Sequence, residues 1–332
     1  MIRMHMNESP YDFPFTAKLR VMARALFVPW NRYPEESARE AVDALSLYTG
    51  QKRDNLLLGN GSNELIRLAF LAWGATGKRV LMISPGFVTY EKEASRSGCE
   101  TVRVPLGKDL SFDREAFLAH VKRADLVVLI SPGNPSGELL SRDFLEEAVK
   151  TCPGKVLIDE AYGEFAGLSA VSLIDRYENV VILRTLSKAF GLAGARIGYA
   201  LGSLKCMEEL KRVALPYSPG IFPLMLLREA LKRKRVMEKR VMKLRSERAR
   251  LIVRLQKSPV VDVVPGDANF ILLQGMSRES GQALREALNR ERIVPRLYQD
   301  KAFASLFRIT VGRPRDNSRF LRAVEKVERR FS

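Results

Sequence analysis

From residue 55 onward, compact apolar runs alternate with longer stretches whose apolar positions recur every three or four places. NLLLG (55–59) reads as a strand, and SNELIRLAFLAWG as a helix opened by Ser62. RVLMIS (79–84) is a strand followed by a helix over about 87–97; ETVRVPL is a strand and DREAFLAHVKR a helix. DLVVLIS (125–131) precedes a helix over about 141–150, KVLID (155–159) and VVILR follow as strands, and RIGYALG (196–202) closes the series. Continuous apolar strands joined by helices predict a mostly parallel sheet covered on both faces. Ahead of this series, 16–28 reads as an amphipathic helix ended by Pro29 and NRYPEES (31–37) as a turn. A second helix then runs to about Tyr48 and is stopped by Gly50.

The pattern changes after residue 216. PYSPGIFP (216–223) reads as a Pro/Gly hinge. In 227–255, Leu227, Leu231, Val241, Leu244, Leu251 and Leu255 recur at mostly helical spacing, which predicts one long helix with a solvated basic face. VVDVV, ANFILLQ, IVPRLY and FRITVG read as strands, with helices near 281–290 and 317–330. Fewer strands with helices segregated around them make a smaller α+β unit.

Composition narrows the class. The chain has 332 residues, 46% apolar and 28% charged, enough for one large domain or two unequal ones. No apolar run approaches the roughly 18 residues of a membrane span, and MIRMHMNESPYDFPF lacks the apolar core of a signal peptide. A cytoplasmic location is therefore expected. Cys99, Cys152 and Cys206 are scattered, and His5 and His120 are the only histidines, so free thiols and no metal site are expected. The net charge of +17 favours anionic partners, phosphorylated metabolites among them. Much of that charge lies in 227–255, where no aromatics interleave and no recognition motif occurs, so no nucleic-acid partner is expected.

In an open parallel sheet, ligands bind beyond the carboxyl ends of the strands. Gly61-Ser62, Asn134, Asp159 and Lys188 all fall at such ends. In TLSKAFGLAGARIGY (185–199), Lys188 follows an apolar strand, where desolvation would lower its pKa and leave the neutral amine that a nucleophile requires. Thr185, Ser187 and Arg196 flank it with hydroxyls and a guanidinium, groups that suit a phosphate. Alone, the stretch reads more readily as a surface lysine with a structural arginine. GNGSNELI (59–66) is a glycine turn into a helix start that can hold an anion, though helix capping by Ser62 is the commoner use. Asn134 in SPGNPSG fits plain turn chemistry equally well, and Asp159 in DEAY fits a structural ion pair.

In this order and spacing the pieces resemble the fold-type I pyridoxal-phosphate aminotransferases, most nearly those acting on histidinol phosphate. The likeness runs through NESP, NRYPE, LYTG, GNGSNELI, PGFVTY, SPGNPSG, DEAY, TLSKAFGLAGARIGY, ANFIL and FRITVGRPRDN. It implies an α/β large domain (31–220) with a mostly parallel sheet sandwiched by helices. It also implies a smaller α+β domain (221–332) and an N-terminal segment (1–30) packing with it. It implies pyridoxal 5'-phosphate as cofactor, a small-molecule amino donor and a 2-oxo acid as substrates, and a homodimer. Lys188 would bond the cofactor aldehyde and then move the substrate proton. Asp159 would pair with the ring N–H, and Asn134 and Tyr162 would meet the 3-oxygen. Phe87 would stack on the ring. Ser62, Asn63, Thr185, Ser187 and Arg196 would hold the phosphate, joined by Tyr48 from the other subunit. Arg308 would take the substrate carboxylate. Arg32 and Tyr33 would sit near the entrance, where a plain turn explains them nearly as well. Phe87 stands where the family usually has Tyr, the usual Asn-Pro-Asn-Asn-Pro-Thr-Gly run is thinned, and the chain starts almost at NESP. The implied reaction is amino transfer from L-histidinol phosphate to 2-oxoglutarate. An aromatic or broad-range aminotransferase and a threonine-phosphate decarboxylase are the alternatives within the resemblance. A cofactor-binding DNA regulator is disfavoured because no helix-turn-helix segment precedes the cofactor domain.

Overall fold

The computed structural model describes residues 1–35, 38–107, 111–298 and 305–331. Glu36 and Ser37 of the expected turn lie outside the described residues. The chain opens with strand β1 (Ile2–Met4) and helices α1 (Phe15–Ala25) and α2 (Arg39–Thr49). The alternating series follows as β2 (Leu56–Gly59), α3 (Ser62–Trp73), β3 (Arg79–Ser84), α4 (Val88–Arg96), β4 (Glu100–Pro105) and α5 (Arg114–Val121). It continues through β5 (Leu126–Ile130), α6 (Arg142–Thr151), β6 (Lys155–Asp159), the short α7 (Gly163–Ala166), β7 (Val180–Thr185), β8 (Gly198–Gly202) and α8 (Leu204–Val213). The remainder is α9 (Ile221–Leu231), α10 (Lys234–Leu255), β9 (Val261–Val264), β10 (Phe270–Gly275), α11 (Arg278–Arg290), β11 (Ile293–Leu297), β12 (Leu306–Thr310) and α12 (Pro314–Phe331).

The first sheet has the order β2-β8-β7-β6-β5-β3-β4. β2 through β7 run in one direction, and β8 alone runs against them. The strict two-residue period of a strand divides the apolar run of each central strand between two layers. Leu126, Val128, Leu157, Val181 and Leu183 face one core with Leu65, Phe70 and Met207 of α3 and α8. Val127, Leu129, Val156, Ile158, Val180 and Ile182 face the other with Phe117 and Phe144 of α5 and α6. Each such side chain, removed from water, contributes about 1.5–3 kcal/mol. The consequence for the site is directional: the carboxyl ends of β2, β5, β6 and β7 and the amino end of β8 share one edge.

The second sheet, β1-β11-β12-β10-β9, is antiparallel apart from β1, which pairs in parallel with β11. The short strand β1 was not legible in the sequence. It brings residues 5–8 over the carboxyl edge of the large sheet. The loops 131–140 and 265–268 meet at two glycines, where the Asp267 N–H donates to the Gly137 carbonyl at 2.7 Å and a Cβ on Gly266 would collide with the Gly137 backbone.

The single long basic helix expected over 227–255 is two helices, with a break at Lys232 and Arg233. Its apolar positions change register there: Leu227, Ala230 and Leu231 are buried in the first helix, and Met237, Val241, Leu244, Leu251 and Leu255 in the second. The gap from 231 to 237 does not fit a continuous helical stripe. α9 packs on α1 and α2, whereas α10 packs on β9, α12 and α7, so one straight axis could not serve both.

Candidate active site

Lys188 sits in the turn after β7, among buried neighbours. Its Nζ donates to the Met6 carbonyl at 3.0 Å and lies 5.8 Å from the centroid of the Tyr162 ring. Burial, with repulsion from Arg308 and Arg196, brings its pKa down to about 8; Glu8 and Asp159 oppose the shift. The neutral amine that a nucleophile requires is therefore reached at a lower pH than for an ordinary lysine.

Asp159 ends β6 and is 3% exposed. One carboxylate oxygen accepts from the Tyr90 hydroxyl at 2.8 Å and the other from the Ala161 N–H at 2.9 Å. Burial pushes its pKa up against the effect of those hydrogen bonds and of Lys188. A carboxylate so enclosed is best matched by a cation delivered into the pocket. Phe87, at the start of α4, meets Tyr90 edge-on at 6.3 Å.

At the other end, α3 begins at Ser62 with Gly61 as its N-cap, φ +81°. The Arg196 guanidinium occupies the place a Gly61 Cβ would take, and a Cβ on Gly198 would collide with the Ser62 nitrogen. Arg196 itself is held in the left-handed region at φ +51°. The Thr185 and Ser187 hydroxyl oxygens are 2.9 Å apart, and Arg196 reaches Ser187 Oγ at 3.4 Å. Free helix N–H groups, two hydroxyls and a guanidinium that forms no ion pair among the described residues make an anion cradle. Gly198→Ala is expected to weaken binding of a phosphate-bearing ligand such as pyridoxal 5'-phosphate, the expectation raised by the sequence, by about 10-fold or more while the fold persists, because the added methyl moves the α3 start away from the anion. Equilibrium dialysis of the cofactor against the variant checks this; unchanged affinity would place the anion elsewhere.

Between the two ends lie the polar groups of Tyr162, Asn134 and Arg308. Asn134 Nδ2 is 3.5 Å from Tyr162 Oη, and its Oδ1 accepts from Arg308 Nη1 at 2.5 Å. Arg308, in the middle of β12 and 8% exposed, also donates to the His5 carbonyl at 2.9 Å and stacks over Phe270 at 5.1 Å. Among the described residues, its Nε is buried without a hydrogen-bond partner.

The structure thus brings Lys188, Asp159, Tyr162, Asn134 and Arg308 into one cluster at the sheet edge, with Ser62, Thr185, Ser187 and Arg196 at its anion-binding end and Phe87 joined through Tyr90. Asn63 is exposed in the first turn of α3. Tyr48 is half-buried on α2 against Phe190, ring centroids 5.9 Å apart. Arg32 is exposed, and Tyr33, also exposed, stacks on Tyr217 at 4.5 Å. Sequence reasoning gave no role to Tyr90, Met6 or Asn7. Tyr90 follows Phe87 by three residues in PGFVTY, so one helical turn places both at the same pocket. Asn7 heads NESP, and only its contacts reveal what it touches.

A buried carboxylate, a lysine of lowered pKa and an anion cradle thus meet on the carboxyl edge of a mostly parallel sheet in an α/β protein. The family described as aminotransferase class I and II matches residues 1–324, and the chain belongs to that family. It is 37% identical over 326 residues to the histidinol-phosphate aminotransferase of Thermococcus gammatolerans, covering 98% of this chain and 92% of that one. The histidinol-phosphate aminotransferase structure from Clostridium acetobutylicum superposes with a TM-score of 0.91 at 26% identity, covering 99% of this chain and all of the other (100%). The enzyme of that name from Sinorhizobium meliloti, solved in complex with pyridoxal-5'-phosphate, shares the fold at a TM-score of 0.90 and 24% identity, over 100% of this chain and 92% of its own.

Proposed function

We propose that this chain uses pyridoxal 5'-phosphate to transfer an amino group between L-histidinol phosphate and 2-oxoglutarate. The observation that carries the reading is the convergence of Lys188, Asp159 and the Arg196 cradle on one pocket, in a chain similar over nearly its full length to histidinol-phosphate aminotransferases. The residues fit the cofactor. The buried Asp159 carboxylate suits a ring N–H cation, the glycine backbone at Gly61 and Gly198, packed close against the Arg196 guanidinium and the α3 start, suits its phosphate, and the Tyr162 and Asn134 donors suit its 3-oxygen. When bound, the cofactor supplies an aldehyde carbon for amine exchange and a cationic ring that withdraws electrons.

The chain's own groups do the rest. Lys188 is the nucleophile and the proton carrier at the sheet edge. Asp159, steadied by Tyr90, keeps positive charge at the ring nitrogen, and Phe87 closes one ring face. Ser62, Asn63, Thr185, Ser187 and Arg196 anchor the phosphate. Arg308 has a second task that follows from the substrates. Glutamate presents a carboxylate, whereas histidinol phosphate carries a phosphate in its place, and a planar guanidinium fork accepts either.

The active unit in this reading is a homodimer, with Tyr48 reaching the partner's phosphate and Arg32 and Tyr33 near its entrance. A row of exposed apolar side chains along α1 and its C-cap, Phe15, Leu19, Met22 and Leu26, supports self-association. The three domain limits, 1–30, 31–220 and 221–332, belong to the same proposal, with β1 of the first segment joined to the second sheet. No described helix is long and apolar enough to cross a membrane.

Steady-state comparison of histidinol phosphate, phenylalanine and threonine phosphate as donors, with glutamate as the readout, tests the substrate. The expected order puts histidinol phosphate first in kcat/KM by at least about 10-fold. A higher value for phenylalanine, or carbon dioxide released from threonine phosphate, would overturn it.

A further inference from the structure

Asn7 stands outside every role assigned so far, yet it is 1% exposed and touches the heart of the pocket. Its Nδ2 donates to Tyr162 Oη at 2.9 Å. Its backbone N–H donates to Thr310 Oγ1 at 3.0 Å, and Thr310 Oγ1 lies 3.1 Å from its Oδ1. Its carbonyl accepts from Asn269 Nδ2 at 3.1 Å. The backbone is in the left-handed region, φ +52°, a conformation asparagine tolerates better than most residues.

These contacts fix the direction of each proton. A backbone N–H can only donate, so the Thr310 oxygen accepts from it. The single Thr310 proton is then free to go to Asn7 Oδ1. That sets the amide's orientation and leaves Nδ2, a donor, facing Tyr162. Asn134 is oriented by the same logic: its Oδ1 faces Arg308, which has no acceptor, so its Nδ2 points toward Tyr162. The phenol oxygen therefore receives N–H groups from the protein, and its own proton is the one left to give.

We propose that Asn7 is a positioning residue that turns the Tyr162 hydroxyl proton into the pocket, toward the 3-oxygen of the bound cofactor. The inference rests on the cofactor reading above. Asn7 acts through Tyr162 and touches neither substrate nor cofactor. Its attachment to Thr310, two residues beyond Arg308 on β12, ties the aim of the phenol to the strand that carries the substrate-binding arginine.

A donor to an oxyanion favours the deprotonated form. Losing the donor raises the pH at which the visible absorbance band of the cofactor-loaded protein titrates. Asn7→Asp offers an acceptor where Nδ2 stood, so the phenol proton turns back to it. The band's midpoint is expected to rise by about one pH unit. Asn7→Ala should move it in the same direction by less. Tyr162→Phe should raise it at least as far, and the uncharged Asn7→Ala/Tyr162→Phe double variant should titrate with Tyr162→Phe, since the effects share one route. The charged groups around the lysine, Arg308 on β12, Arg196 before β8, Asp159 at the end of β6 and Glu8 beside Asn7, stay in place in all these proteins, and only Asn7→Asp adds a charge of its own. Should both Asn7 variants fail to fold, Thr310→Val, which releases the amide to turn over, carries the same test. A midpoint that stays at the wild-type value, or a shift that adds fully to that of Tyr162→Phe, overturns the role of Asn7. A wild-type protein that shows no visible band with the cofactor overturns the underlying reading instead.

Discussion

Lys188→Ala protein supplied with pyridoxal 5'-phosphate is expected to remain colourless in the visible range and to lose amino transfer by on the order of 10⁴-fold. The lysine is the amine that the structure places at the pocket with a pKa brought down to about 8. A mere ion-pair lysine, removed, would leave both colour and turnover. Borohydride reduction of the loaded wild type, followed by peptide mapping, should find the label on Lys188. A label on another side chain, or a normal band in the variant, would sink the assignment. The sign of the pH dependence follows from the same shift. The ammonium form predominates below the folded-state value and the neutral amine above it, so capture of the cofactor by the free protein should quicken as pH rises through about 8 and level off beyond. The rate of appearance of the visible band, measured from pH 6 to 10, checks the direction.

Asp159→Asn should cost about 10²–10⁴-fold in kcat/KM. Removing one member of a buried, hydrogen-bonded ion pair costs about 3–5 kcal/mol, and each 1.36 kcal/mol is a factor of ten. The same substitution should not destabilise the cofactor-free protein. Burial holds the Asp159 carboxyl above its usual range. A carboxyl whose folded pKa exceeds its unfolded one opposes folding once the pH passes the unfolded value, most fully above the folded value. The neutral amide escapes that penalty, so the free variant should melt at or above the wild-type temperature near pH 8, with the difference narrowing as pH falls. Thermal unfolding at two pH values separates the outcomes; a free variant much less stable at pH 8 would mean that Asp159 holds the fold rather than the cofactor.

The sheet that carries Lys188 and Asp159 was legible because burial on both faces forces unbroken apolar runs such as KVLID and VVILR, and these mark strands and their ends. The groups at those ends were legible for the same reason. The reversed direction of β8 was not, since an apolar run buried on both faces reads alike in either direction. The break between α9 and α10 was written in the six-residue step from Leu231 to Met237, which the abundant Lys and Arg around it obscured. β1 has only IRM to announce it, too little for a two-residue period, and its strand character comes from pairing with β11. Asn7 and Tyr90 were missed for a related reason. Each is a common residue type whose function lies in partners 155 and 69 positions away, and no local pattern encodes such a partner.

The lacing of residues 5–8 to β12 also dictates when the enzyme can come alive. On the ribosome, the segment that roofs the lysine emerges first and its anchor, Thr310, emerges 303 positions later. At about 5–20 residues per second, that interval lasts on the order of a quarter-minute to a minute. A nascent chain halted before β12 already owns its lysine, its carboxylate and its anion cradle, but neither the arginine fork nor the anchored asparagine.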